Sequence, residues 1–258
     1  MGILGTFNAS SLRRYGFGVR QLPTSVTGLL VASGGSYSSG TGSATGGGGG
    51  GGGIVNQTFT IDPLTTYTFT IGTAISGGNG ANTVAFGSTA VGGGKGGTDS
   101  STQSVRDGSS GGSGGGAASQ YFDGVDWLSS FGGAGTQGNS GGDGYRNGGG
   151  GGGGYGSVGG AGDVNTGGNG GSGYTSSISG ASVTYSTGGA GGGLSTNGSS
   201  PASTYGGGGG VDRPAQNGVL TFAYPIKFPY GKTTGSPSVT TNATHKIYTF
   251  TANGTFRF

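Results

Sequence analysis

Gly46-Gly47-Gly48-Gly49-Gly50-Gly51-Gly52-Gly53 is the stretch on which the reading of this chain turns. Runs of the same kind recur at Gly148–Gly154 and Gly206–Gly210, in a chain of 258 residues that holds 73 glycines. Ordering a glycine costs roughly 0.5–1 kcal/mol more than ordering an alanine, because its backbone gives up more freedom. Over all the glycines the extra cost is on the order of 40–70 kcal/mol. Either the runs are flexible linkers, or they lie side by side and recover the loss through backbone hydrogen bonds of about 1 kcal/mol net each. The second arrangement has a geometry available, the extended left-handed helix with three residues per turn and a rise of about 3.1 Å per residue. With glycine on all three faces, neighbours approach from every side and the N–H and C=O groups bond radially, helix to helix.

The overall composition points first towards disorder, since 73 glycines and 7 prolines exceed the roughly 25–30% above which non-periodic chains are low-complexity. Two features oppose it. Charged residues are only 7% with a net charge of +3, and aromatics reach 10%, with 12 Tyr and 12 Phe, whereas disordered chains are charged and poor in aromatics. Hydrophobic residues are 29% against the usual 45–50% or so, too few to fill a conventional core. There is no cysteine, which removes a disulfide framework and thiolate metal sites. No run approaches the ~20 apolar residues of a membrane span, so no membrane insertion is expected.

Outward from the first glycine run, Gly28-Leu29-Leu30-Val31-Ala32-Ser33 reads as a buried strand entering the glycine territory. Asn56–Asp62 and Thr66–Gly72 alternate apolar and polar residues, the period of half-buried strands, and the short Pro63-Leu64-Thr65 connection predicts an antiparallel pair. Asn82–Phe86 is a further, shorter strand. Gly218–Pro225 is a strand stopped by proline. In the tail, Lys246–Ala252 and Thr255–Phe258 flank Asn253-Gly254, the turn dipeptide of a two-residue hairpin, with Tyr248, Phe250, Phe256 and Phe258 on one face. The expected fold is all-β: short antiparallel strands (28–33, 55–72, 82–86, 217–225) brace a bundle of polyglycine-type helices, followed by a small C-terminal β module. The expected divisions are an arm over 1–27, a glycine-rich domain over 28–225 and the module over 226–258.

Charge is unevenly placed. All eight acids are Asp and lie between Asp62 and Asp212, whereas Arg13, Arg14 and Arg20 in the first segment and Lys227, Lys232, Lys246 and Arg257 in the last have no acid beside them. Arg13, Arg14 and Arg20 are therefore either docking residues for an acidic partner or ordinary solvated surface.

Catalytic constellations are close to absent, and no enzyme activity is expected. His245 is the single histidine and there is no Glu, so triads and histidine metal clusters lack partners; no metal and no cofactor are expected. Gly231-Lys232-Thr233 fails the phosphate-loop spacing, because Ile226 stands where the pattern requires glycine. The Arg-Gly-aromatic segment at Arg13–Gly18 is too sparse in arginine to bind single strands, and nucleic acid is not an expected partner. One island in the glycine territory stands out, Ser119–Phe131, which holds the only Trp. Tyr121, Phe122, Asp123, Asp126 and Trp127 supply aromatics that anchor interfaces at low entropy cost and carboxylates that accept hydroxyl hydrogen bonds. Tyr145 and Tyr155 flank the second glycine run and join the candidate set. The alternative reading is that these aromatics plug the end of the bundle.

Taken in order, Leu29–Gly35, the octaglycine, the segment ending Thr68-Phe69-Thr70-Ile71-Gly72, the Gly- and Asn-rich middle and the closing Asn217–Pro225 resemble the glycine-rich domain common in tailed-bacteriophage virion proteins. Tyr248–Phe256 is similar to the strand module that often accompanies it. The resemblance implies a virion structural protein, a tail-fibre or baseplate component in which packed polyglycine helices carry loops to the host receptor. Implied partners are other virion proteins, a host-surface glycan or outer-membrane protein, and further copies of the chain in a homo-oligomer; the implied location is the virion. A capsid decoration or fibre spacer without receptor binding is the alternative. The first 27 residues depart from the related adhesins in showing no recognisable attachment domain.

Overall fold

The computed structural model describes residues 21–39 and 45–258; Arg13, Arg14 and Arg20 lie outside them. The chain is all-β. Among the described residues the strands are β1 (Ser25–Val31), β2 (Ile54–Thr60), β3 (Tyr67–Phe69), β4 (Thr83–Ala85), β5 (Ser88–Ala90), β6 (Tyr121–Phe122), β7 (Trp127–Leu128), β8 (Tyr174–Ser176), β9 (Val183–Tyr185), β10 (Val219–Pro225), β11 (Lys232–Thr234), β12 (Ser238–Thr241), β13 (His245–Phe250) and β14 (Gly254–Arg257), with one helical turn, α1 (Gln103–Arg106).

An antiparallel sheet in the order β12-β13-β10-β1-β2 faces a smaller one in the order β11-β14-β3. Between them lies an aromatic core of Phe59, Phe69, Phe222, Tyr224, Tyr248, Phe250 and Phe256 with Val26, Leu30 and Leu220. Gly28 in the middle of β1 makes room for it: a Cβ there would lie 2.8 Å from the Phe59 ring. The outer face of the larger sheet is also covered. Leu29, Val31, Ile54 and Val219 pack under Tyr185, with Tyr155, Tyr174 and Tyr205 around them.

Two expected hairpins are corrected. Among the described residues β2 pairs only with β1 while β3 pairs with β14, and β13 and β14 belong to different sheets. Each connection is an arch that crosses the core. Gly254 does not take the positive φ that a two-residue hairpin turn demands, and the Asn253 side chain instead accepts the N–H of Ile71 at 2.8 Å. The physical reason is burial. A hairpin keeps both aromatic faces on one side of one ribbon, which is marginal alone, whereas an arch sets Phe250 against Phe69 (ring centroids 5.1 Å) and Tyr248 against Phe256 (5.2 Å). Residues 226–258, read as a separate module, thus supply strands to both sheets. A tight two-residue turn does form at Phe86 (φ 51°) and Gly87 (φ 75°), where the expected strand gives out after Ala85 and Phe86 inserts its ring between Phe59, Phe69 and Phe222.

The glycine territory is a hydrogen-bonded bundle. Gly47, Gly50 and Gly53 donate to Gly97, Gly94 and Val91; Gly48 and Gly51 to Gly150 and Gly153; Gly49 and Gly52 to Gly209 and Gly206, all at 2.7–3.0 Å. Every third residue thus addresses the same neighbour, the signature of a helix with three residues per turn. The carbonyls of the same run accept from three more segments: Ser38, Gly35 and Ala32; Gly116 and Ser113; Gly192 and Gly189. Six neighbours therefore surround Gly46–Gly53. Gly148–Gly154 is enclosed in the same way, donating to segments at 189–192, 114–117 and 157–160 and accepting from 46–53, 139–142 and 168–171. Within both runs no glycine has positive φ, so what is needed there is the missing Cβ: one on Gly51 would lie 2.5 Å from the Ser186 carbonyl oxygen.

At the rim, side-chain amides stand in for missing neighbours. Asn79, Asn82 and Gln137 accept from the N–H groups of Lys95, Gly92 and Val91, each at 2.8 Å. The sheet and the bundle are continuous. The β1–β2 ladder ends at Val31 opposite Ile54, and the same two segments go on bonding as Ala32 to Gly53, Gly35 to Gly50 and Ser38 to Gly47.

Candidate functional site

The run Gly46–Gly53 enters β2 at one end; its other end is remote from the sandwich. The connections there are tied to one another. Ser119 N–H donates to Thr45 (2.8 Å), whose hydroxyl donates to the Asn147 carbonyl (2.9 Å). Asn147 Nδ2 in turn donates to Asn165 Oδ1 (3.0 Å). From this platform the island Ser119–Phe131 projects as a hairpin, with Tyr121 opposite Leu128 and Phe122 opposite Trp127.

Both feet of the hairpin are clamped. Arg106, only 2% exposed, donates through Nη1 to the Ser100 carbonyl (2.8 Å) and through Nη2 to the Ser129 carbonyl (3.0 Å). Ser130 Oγ donates to the Ala118 carbonyl (2.6 Å), and Phe131 N–H to Asp107 Oδ1 (2.8 Å). At the hairpin's apex Asp123 Oδ1 accepts the N–H groups of Val125 and Asp126, both at 2.9 Å, around Gly124 at φ 100°. Those bonds, the one from Asp126 first, hold the Asp123 carboxyl below the ordinary carboxylate range.

The apex is apolar and open. Val125 is 81% exposed, Phe122 50% and Trp127 38%, and the Phe122 and Trp127 rings lie 5.3 Å apart as a cross-strand pair. Tyr121 is half-buried, whereas Asp123 and Asp126 are exposed. Between the plug and the surface readings of the island, the geometry is that of a surface. Tyr145 lies beside it: Gln120 Oε1 accepts the N–H of Arg146 (3.0 Å), and Tyr145, Phe131, Gln120, Asp143 and Asp163 line one cleft of about 340 Å³. Tyr155 is not part of this group. It sits at the opposite end of Gly148–Gly154, where its ring packs 5.5 Å from Tyr174 against the outer face of the sheet.

A larger cleft of about 640 Å³ lies on the flank of the bundle beside Tyr37, Ile75, Asp212 and Arg213. There Asp212 accepts from Ser200 Oγ (2.6 Å) and Arg213 donates through Nη2 to Thr187 Oγ1 (2.6 Å), while Arg213 Nε is buried without a partner among the described residues. Arg106 is the residue that sequence reasoning passed over; a single arginine among serines and glycines just before the island was the available signal. Among the described residues no group of three or more His, Cys, Asp or Glu side chains is placed to hold a metal ion, and no helix is long and apolar enough to cross a membrane.

The role of Asp123 leads to a pH prediction. A carboxyl whose folded pKa is depressed stabilises its turn above its unfolded value and loses that contribution as pH falls through the folded value. Protection of the Val125 and Asp126 amides from exchange is expected to hold from neutral pH down to about 4, the ordinary aspartate range, and to fall only below it. Asp123→Ala abolishes that protection at all pH values, whereas Asp123→Asn, which keeps an Oδ1 acceptor, retains most of it and loses the acid transition.

The sequence model of a family described as a glycine-rich domain matches residues 13–221. No curated protein matches the chain, and no solved structure does.

Proposed function

The chain belongs to the glycine-rich domain family, and we propose that it is a structural protein of a tailed-phage virion, tail-associated, that presents the Ser119–Phe131 hairpin for adhesion to a host-surface glycan or outer-membrane protein. The observation that carries this reading is the exposed Phe122–Val125–Trp127 apex at the end of a bundle remote from its sandwich. Large aromatics left open on a clamped turn lose little entropy when they dock, and a contiguous exposed apolar apex marks an interaction site. The bundle supports it mechanically. Its segments hold one another through many backbone bonds with little side-chain freedom, so force on the apex is transmitted to the sandwich. The sandwich and the basic N-terminal arm are the parts left to join other virion proteins. The role is mechanical and adhesive, with no chemistry on a substrate.

Trp127→Ala is the test. Loss of an anchoring aromatic costs at least about 10-fold in binding, so particles carrying the variant are expected to adsorb to host cells at least about 10-fold less while assembling normally. Because Trp127 is outside both cores, the melting temperature of the purified chain is expected to move by less than about 2 °C. Unchanged adsorption with defective assembly would instead identify a spacer or decoration protein.

A further inference from the structure

The charge around the apex defines what it fits. Six of the eight acids, Asp99, Asp107, Asp123, Asp126, Asp143 and Asp163, lie in connections at the remote end of the bundle. The bases of those connections are Arg106 and Arg146, and Arg106 is buried with its guanidinium committed to two carbonyls. Four of the carboxylates use Oδ1 to accept a backbone N–H: Asp107 from Phe131, Asp123 from Val125 and Asp126, Asp143 from Gly132 and Asp163 from Val164. Each is held in place by one oxygen and, among the described residues, keeps Oδ2 for an outside donor.

Resting on the adhesion reading, we infer that the partner is a protein surface in which lysine or arginine side chains ring an apolar recess, with Trp127, Phe122 and Val125 entering the recess and the carboxylates meeting the cationic ring. The net field of six carboxylates against Arg106 and Arg146 is negative, which disfavours phosphate and anionic polysaccharide and steers a cationic surface in. Fixed carboxylates meet guanidinium or ammonium groups without first losing rotamer freedom, and an exposed indole face also takes a cation.

Trp127 is the only tryptophan, so its emission reports on the apex directly. The full-length chain is titrated with an amphipathic lysine–leucine peptide, with neutral dextran and with vesicles bearing lipopolysaccharide. The peptide is expected to blue-shift the emission in a saturable way and to lose about 10-fold in affinity between about 50 and 500 mM salt. It is expected to bind about 10-fold more weakly to Asp126→Asn/Asp143→Asn/Asp163→Asn, a chain that keeps its Oδ1 acceptors and its melting temperature. Dextran and the vesicles are expected to leave the emission unchanged. Saturable binding to either, or peptide binding that ignores the three substitutions, would overturn the inference. The two readings fail separately: unchanged adsorption of Trp127→Ala particles removes adhesion whatever the peptide does, whereas lost adsorption with no peptide response removes only the cationic partner.

Discussion

Gly50→Ala is expected to cost more than about 3 kcal/mol and to lower the melting temperature by about 6–12 °C for a chain of this size. Gly50 donates to Gly94 (2.8 Å) and accepts from Gly35 (2.9 Å) inside a ring of six segments. A Cβ at this position overlaps the Ser113 carbonyl oxygen and lies 2.6 Å from that of Gly114. Neither obstacle is a side chain that can turn away; both are backbone atoms bonded to further segments. Relief requires prising two helices apart, which stretches bonds along both. Gly77→Ala is the control, with nothing among the described residues within 4 Å of its Cβ and only its φ of 70° at stake, worth about 1–2 kcal/mol. Thermal melts of the two variants decide the matter, together with hydrogen exchange at Gly46–Gly53, protected in the native chain and released by Gly50→Ala. Equal costs for the two substitutions would mean that the runs are not tightly packed.

Phe222→Ala is expected to cost about 3–5 kcal/mol. Phe222 is fully buried in the central strand β10, stacked on Tyr248 at 5.3 Å, with Phe86 at 5.3 Å and Phe256 at 4.9 Å edge-on. Its removal leaves a cavity that the two sheets cannot close, since strands on either side are pinned by their ladders. A further consequence tests how the parts are coupled. β1, β2 and β10 continue directly into bundle segments, so loosening the sandwich is expected to raise exchange at Gly47, Gly50 and Gly53 along with the sheet amides. Bundle amides that stay protected while the sheet opens would show that the glycine segments hold their alignment without it. Phe222→Leu, which keeps most of the volume, is expected to cost about half as much and to leave the bundle protected.

Much of this was legible in the residues. Seventy-three glycines with few charges permit close backbone approach in three directions, and that is a statement about the absence of Cβ atoms, which no tertiary context alters. Leu29–Val31 and Val219–Leu220 are apolar on both faces of their strands, and they lie between two covering layers. The island was legible as a candidate because Trp127 and Phe122 stand among serines and glycines, where nothing local buries them. Tyr145 and Tyr155 look alike in the sequence, yet they fall at opposite ends of one glycine run, which carries them to different neighbours.

Other features depended on distant contacts. Asn253-Gly254 carries the strongest local signal for a hairpin and Pro63-Leu64-Thr65 another, but a turn preference of a kcal/mol or so is outweighed by the burial of aromatic faces of about 1.5–3 kcal/mol each that only crossing between sheets provides. Register in the bundle is the clearest case. Eight identical residues look the same after a shift of one, so no local term selects their alignment. It is chosen outside the run, where Ile54 meets Val31 and the ladder of β1 and β2 passes into the glycines. Composition made the bundle possible, and the sandwich decided which glycine faces which.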